Sequence, residues 1–121
     1  MKCEVQEIQN FLVIHVIGDL TNSDHVEILS KEIETHVKNG FHNYLFNLEK
    51  LSNIDLDGVD VFISCLADVE EHGGGVYLLV EEASVLENLE SVGLDKLLPH
   101  YTSAHSFYED HSIHVDHQNL A

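Results

Sequence analysis

Basic residues are scarce in this chain. Five Lys and Arg stand against 22 Asp and Glu among 121 residues, a formal net charge of −17 with histidine neutral. Nucleic acid and anionic membrane surfaces are recognised by clusters of Lys and Arg, so both are excluded as expected partners. Long apolar runs are missing too, and nothing approaches the roughly 20 residues that a membrane-spanning helix needs. Cysteine is limited to Cys3 and Cys65. The two make neither a disulfide framework nor a thiolate metal set, and they suit a reducing compartment. The opening Met1-Lys2-Cys3-Glu4 lacks the basic-then-apolar layout of a signal peptide. The expected location is cytoplasmic.

What remains is the make-up of one globular domain. Hydrophobic residues are 44% of the chain, an ordinary value for a folded protein, and the length suffices to bury one core. The acidic excess reads first as a solvated surface and second as a face for a basic partner. Ten histidines moderate it near and below pH ~6.5, where imidazoles take up protons.

Val5 to Ile8 and Phe11 to Ile17 are apolar stretches separated by Gln9-Asn10, the pattern of a hairpin. The second is nearly continuous, as in a strand buried on both faces. Gly18 to Asp24 is rich in turn formers and helix caps. Val26, Leu29, Ile33 and Val37 then recur at helical spacing up to Asn39-Gly40. Tyr44 to Leu48 is the next strand, and Glu49 to Asn53 reads as its connection onward. Val59, Phe62, Ile63 and Leu66 form a one-faced helix that Gly73-Gly74-Gly75 stops. Val76 to Val80 is a strand, Ala83 to Ser91 a helix, and Pro99, the lone proline, ends the segment beyond it. Strands alternating with helices after a hairpin imply an α/β layer on a mixed, mostly parallel sheet of four or five strands. One domain is expected over residues 1–109, with a polar, histidine-containing tail over 110–121.

The run Asn53-Ile54-Asp55-Leu56-Asp57-Gly58-Val59 joins a strand to the most periodic helix. Asp57 is read as the N-cap of that helix, its carboxylate accepting from N–H groups of the first turn. Asp60 stands in for the usual Glu or Gln three residues on. The helix dipole favours a negative charge there by ~0.3–1 kcal/mol.

The order of these signals resembles the STAS domain, the fold of bacterial anti-sigma-factor antagonists. The resemblance rests on Gly18-Asp19-Leu20 closing the buried strand and on Asp55-Leu56-Asp57-Gly58 at the family's Asp-Ser-Ser/Thr-Gly signature. It rests further on Gly73-Gly74 before a strand, on Gly93-Leu94, and on Ser103 ahead of the last helix. It implies a non-catalytic regulator that works by partner switching. In the family, a GHKL-type kinase that often doubles as the anti-sigma factor phosphorylates the third signature residue. Here that regulatory position is Asp57, which has no hydroxyl to accept a phosphoryl group, and Leu56 replaces the serine before it. Thr21 stands where many relatives have an aspartate. The implied contact surface comprises Asp19, Thr21, Asn22, Ser23 and Asp24, together with Ser52, Asn53, Asp55, Leu56, Asp57 and Gly58. Asp57 then also imitates phosphoserine, though only partly: it offers one negative charge against ~1.5 to 2 for the phosphate. A STAS module serving as an accessory part of a sensory or transporter complex, with no phosphorylation cycle, is the alternative reading.

Other motifs carry blander readings. His111, His114 and His117 are spaced for one helix face and carry imidazoles of the kind that bind Zn²⁺ or Ni²⁺, yet no thiolate or rigid scaffold accompanies them, so a solvated tail is expected. His15 reads as a core or interface residue, with no nucleophile beside it in sequence. Ser23 and Ser52 keep hydroxyls within a kinase's reach. Glu70-Glu71 and Glu81-Glu82 read as solvated faces, and the three glycines lack the Gly-Lys-Ser/Thr ending of a phosphate loop. No cofactor, no metal and no enzymatic activity are expected.

Overall fold

A computed structural model describes residues 1–113. The chain opens with a hairpin of β1 (Lys2–Ile8) and β2 (Phe11–Leu20), then runs through α1 (Ser23–Lys38), β3 (Asn43–Asn47) and β4 (Leu51–Ile54). It continues with α2 (Leu56–Glu70), β5 (Gly75–Leu79), α3 (Ala83–Ser91), α4 (Leu94–Leu97), β6 (His100–Tyr101) and α5 (Ala104–Asp110). The sheet runs in the order β1-β2-β3-β5-β6, with β1 antiparallel to β2 and the remaining pairs parallel. The hairpin turns at Gln9-Asn10, and Gln9 takes φ 55, the positive value that tight two-residue hairpin turns need.

Glu49 to Asn53 is more than a connection. Leu51–Ile54 forms β4, which pairs with the end of β2 through Leu20↔Ile54 after a register shift at Gly18/Asp19. Leu51 and Ile54 are buried while Ser52 and Asn53 between them are exposed, so the four residues show no period-two alternation that would mark a strand. With β4 and the two-residue β6, the sheet reaches six strands, not four or five.

Alternation along β2 divides the core. Leu12, Ile14 and Val16 face one way and pack with Leu29 and Ile33 of α1, Phe62, Cys65 and Val69 of α2, and Val85 and Leu89 of α3. Phe11 and Val13 face the other way, with Leu45 and Leu79, under Phe107 of α5. The turn after α2 needs glycine at position 74 for a steric reason: a Cβ there would run into the His42 carbonyl.

The expected break at residue 109 is not a break in the packing. Asp110 closes α5, and His111 packs edge-on to Phe11 and Tyr77, with ring centroids at 5.2 and 4.6 Å. Ile113 is buried beside Phe107. The apolar area of Ile113 and the aromatic surroundings of His111 hold the start of the expected tail on the sheet. His114 and His117 lie outside the described residues.

Candidate functional site

The ends of β2 and β4 lie side by side, and α1 and α2 start from them. This brings the two halves of the expected contact surface together. Asn53 Nδ2 donates to Asp19 Oδ1 at 2.9 Å, and the Asp55 N–H donates to the Leu20 carbonyl at 3.2 Å. Each helix begins on a side-chain cap. Asn22 Oδ1 accepts from the His25 N–H at 3.0 Å, and Asp55 Oδ1 accepts from the Gly58 N–H at 2.9 Å.

Asp55, therefore, and not Asp57, is the N-cap of α2. The helix starts at Leu56, two residues earlier than expected. Asp55 has the extended backbone of a cap, φ −111 and ψ −177. Three residues on from the cap stands Gly58 and not Asp60, so Asp60 completes no capping box. Asp57 is an exposed member of the first turn, free of any capping duty. Its carboxylate benefits from the helix dipole and faces outward.

Gly58 has a different role from that expected. It is buried, and a Cβ there would meet the Leu20 carbonyl oxygen at 2.6 Å and Ile54 Cγ1 at 2.9 Å. Its lack of a side chain lets the first turn of α2 press against β2 and β4. Gly58 positions the surface and does not form it. Asn22, Ser23, Asp24, Ser52, Asn53, Leu56 and Asp57 are exposed, while Asp19, Thr21 and Asp55 are half-buried.

Leu56 is the unexpected feature. Its side chain is 65% exposed beside a groove of about 290 Å³ that Ile54 and Val59 share with Asn88, Ser91 and Val92. The α3 contribution has no local sequence signal, because it arises from α3 packing beside β4. Asp19, Asp24, Asp55 and Asp57 make this end of the molecule acidic, in line with the net charge.

The nucleophile inventory is poor. Burial pushes the Cys65 thiol up to about 12 and the Cys3 thiol up to about 11, so neither provides a thiolate near neutral pH. Among the described residues, no group of three or more His, Cys, Asp or Glu is placed to hold a metal ion, and no helix is long and apolar enough to cross a membrane. Glu70, Glu71, Glu81 and Glu82 are all exposed.

The STAS domain family model matches residues 2–107. No curated protein sequence matches the chain. Among solved structures, a Thermotoga maritima protein described as an anti-sigma factor antagonist superposes with a TM-score of 0.82 at 16% identity, covering 89% of this chain and 92% of its own. The Bacillus anti-sigma factor antagonist SpoIIAA in its unphosphorylated form gives 0.72 at 19% identity, over 92% of this chain and 97% of its own. An anti-sigma factor antagonist from Mycobacterium paratuberculosis gives 0.74 at 17%, over 90% and 92%.

Proposed function

The chain belongs to the STAS domain family, and from that premise we propose that it is a non-catalytic regulatory binding domain, acting as an anti-sigma-factor antagonist does in a partner-switching pathway. Its partner is a GHKL-type anti-sigma factor and serine kinase, or a related STAS-binding protein. The contact surface is the acidic end formed by Asp19 to Asp24, Ser52 to Asp55 and the exposed first turn of α2. Asp57 occupies the phosphoacceptor position and holds it permanently at one negative charge, between the neutral serine and the phosphoserine of ~1.5 to 2 charges.

The observation that carries this reading is the division of labour between Asp55 and Asp57. Asp55 caps the helix, so the exposed Asp57 is not needed for that task. An exposed carboxylate without an internal partner tunes an encounter more than it stabilises a fold. The loss of hydroxyls at both Leu56 and Asp57 also suits an accessory module, which needs no phosphorylation.

Binding of the wild type, Asp57→Ala and Asp57→Ser to the GHKL-type anti-sigma kinases of the same organism, with and without ATP, tests the proposal. Several-fold tighter binding by both variants, with the serine variant phosphorylated and released, is expected if Asp57 mimics phosphoserine. Equal binding by all three makes the protein a constitutive antagonist. Binding by none, with recovery from cells in a stable assembly, replaces the switch with the accessory module.

A further inference from the structure

The half-covered face of the sheet carries two cross-strand rows. One is Gln6, Val13, Leu45 and Tyr77; the next is Glu4, His15, Asn47 and Leu79. A cavity of about 140 Å³ lies over them, closed on one side by Ala104 and Tyr108 of α5 and on another by Glu49 and Lys50. Asn47 and Leu79 are the last residues of β3 and β5. The cavity thus lies on the sheet face, toward the carboxyl-terminal ends of β3 and β5.

Its floor is aliphatic, from Val13, Leu45, Leu79 and Ala104. Its walls are polar and short of partners. Asn47 is only 9% exposed. Its Oδ1 accepts from the Glu49 N–H at 3.0 Å, and among the described residues its amide nitrogen has no hydrogen-bond partner. The His15 ring and the Lys50 ammonium likewise have none among the described residues. An amide donor with no protein partner, on a buried residue that lines the cavity, is available to a ligand.

The titratable groups facing the cavity come from β1, β2, the β3–β4 turn and α5. Burial lowers the His15 pKa, opposed by Glu4 and reinforced by Lys50. Burial raises the Glu49 carboxyl, helped by Glu81 and opposed by Lys50. Burial, together with Glu49, raises the Tyr108 phenol. At neutral pH, His15 and Tyr108 are therefore neutral hydrogen-bonding groups, and the fixed opposite charges available to a ligand are those of Glu49 and Lys50. A carboxylate alone would gain Lys50 but face Glu49. An amine alone would gain Glu49 and leave Lys50 unmatched. A zwitterion satisfies both, and an ammonium beside Glu49 restores the acidity that burial takes away.

We propose that this cavity is a binding site for a small zwitterion, an aliphatic α-amino acid of about valine's size. The ammonium meets Glu49, the carboxylate meets Lys50 and the Asn47 amide, and the side chain lies on Val13, Leu45 and Leu79. The volume sets the scale: a cavity of about 150 Å³ accommodates the six carbons of benzene, so about 140 Å³ takes valine's aliphatic part with its charged ends toward the exposed Glu49 and Lys50. The site is on the sheet face that α5 covers and does not depend on the partner-binding reading.

Titrations of the full chain with L-valine, isobutylamine and isovalerate, followed by amide chemical shifts in NMR, test it. L-Valine is expected to give saturable shifts at Asn47, Lys50 and Tyr108 in the millimolar range or below. The two half-ligands should bind about tenfold more weakly or worse, each having lost a charge-assisted hydrogen bond. Glu49→Gln and Lys50→Gln, both at exposed positions that tolerate change, should each weaken valine by a similar factor. Ala104→Phe should abolish the shifts by filling the cavity. Equal affinity for either half-ligand overturns the zwitterion class, shifts that survive Ala104→Phe overturn the location, and no saturable shift with valine overturns the site.

Discussion

One face of the sheet lies under α1, α2 and α3, whereas among the described residues the other carries only the seven-residue α5 and the chain leading to Ile113. The difference is written into β2. Toward the covered face it sends Leu12, Ile14 and Val16, all nearly inaccessible. Toward the other it sends Phe11 and Val13, then the half-buried His15. The covered face is closed and almost wholly apolar, the buried Tyr44 hydroxyl being its one unpaired polar atom among the described residues, so it specifies the fold. The half-covered face is apolar where α5 lies on it and polar beyond α5, so it can hold a ligand. The end that bears Asp55 and Asp57 belongs to the first of these regions, since α2 is anchored on the covered face by Val59 and Phe62.

The largest expected effect breaks this division directly. Phe62→Ala should destabilise the whole domain by about 3–5 kcal/mol in denaturant unfolding. Phe107→Ala removes an equally buried ring, yet it should chiefly release α5: hydrogen exchange should accelerate in Ala104–Asp110 while α2 stays protected. Equal loss of protection in both helices would show that the two faces are one cooperative unit.

Next come the residues that join α2 to the covered face. Gly58→Ala should cost about 1–3 kcal/mol despite alanine's higher helix propensity, because its Cβ meets the Leu20 carbonyl. A stabilised variant would mean that α2 can shift without penalty. Asp55→Ala, which removes the cap, should cost about 1 kcal/mol. Asp57→Ala should cost no more than about 0.3–1 kcal/mol, the dipole contribution alone. Thermal melts that reverse this order would return the capping role to Asp57.

The smallest effect sharpens the polar side. His15 has a folded-state pKa below its ordinary 6.5 because burial disfavours the imidazolium. Between that lowered value and 6.5 the unfolded chain binds more protons at this site, so His15 makes stability fall as pH drops through the window. His15→Gln should lose less stability than the wild type between pH 7 and pH 5. Parallel stability–pH curves would place His15 in a solvent-like environment.

Much of this architecture was legible in residue patterns. The Gln9-Asn10 hairpin, the continuous apolar run of β2 and the bounds of α3 follow from local periodicity and turn chemistry. The short strands were not legible, because β4 and β6 have too few residues for alternation to show and exist only through pairing with β2 and β5. The expected contact surface assembled as a group. Within it, the capping role expected of Asp57 falls to Asp55: both are good caps by type, and Asp55 has the extended backbone of a cap, with its N–H held by the Leu20 carbonyl.

The sequence by itself determined the STAS fold, the acidic balance and a carboxylate, not a hydroxyl, at position 57. Periodicity, charge and residue identity are local properties, and they survive without knowledge of what packs where. Tertiary structure alone decided that Asp57 is free while Asp55 caps, that Gly58 is a point of contact between backbones, and that Glu49, Lys50, His15 and Asn47 share one cavity. Each of these depends on which strand lies beside which. That is set by burying the whole apolar surface at once, and no single segment contains it.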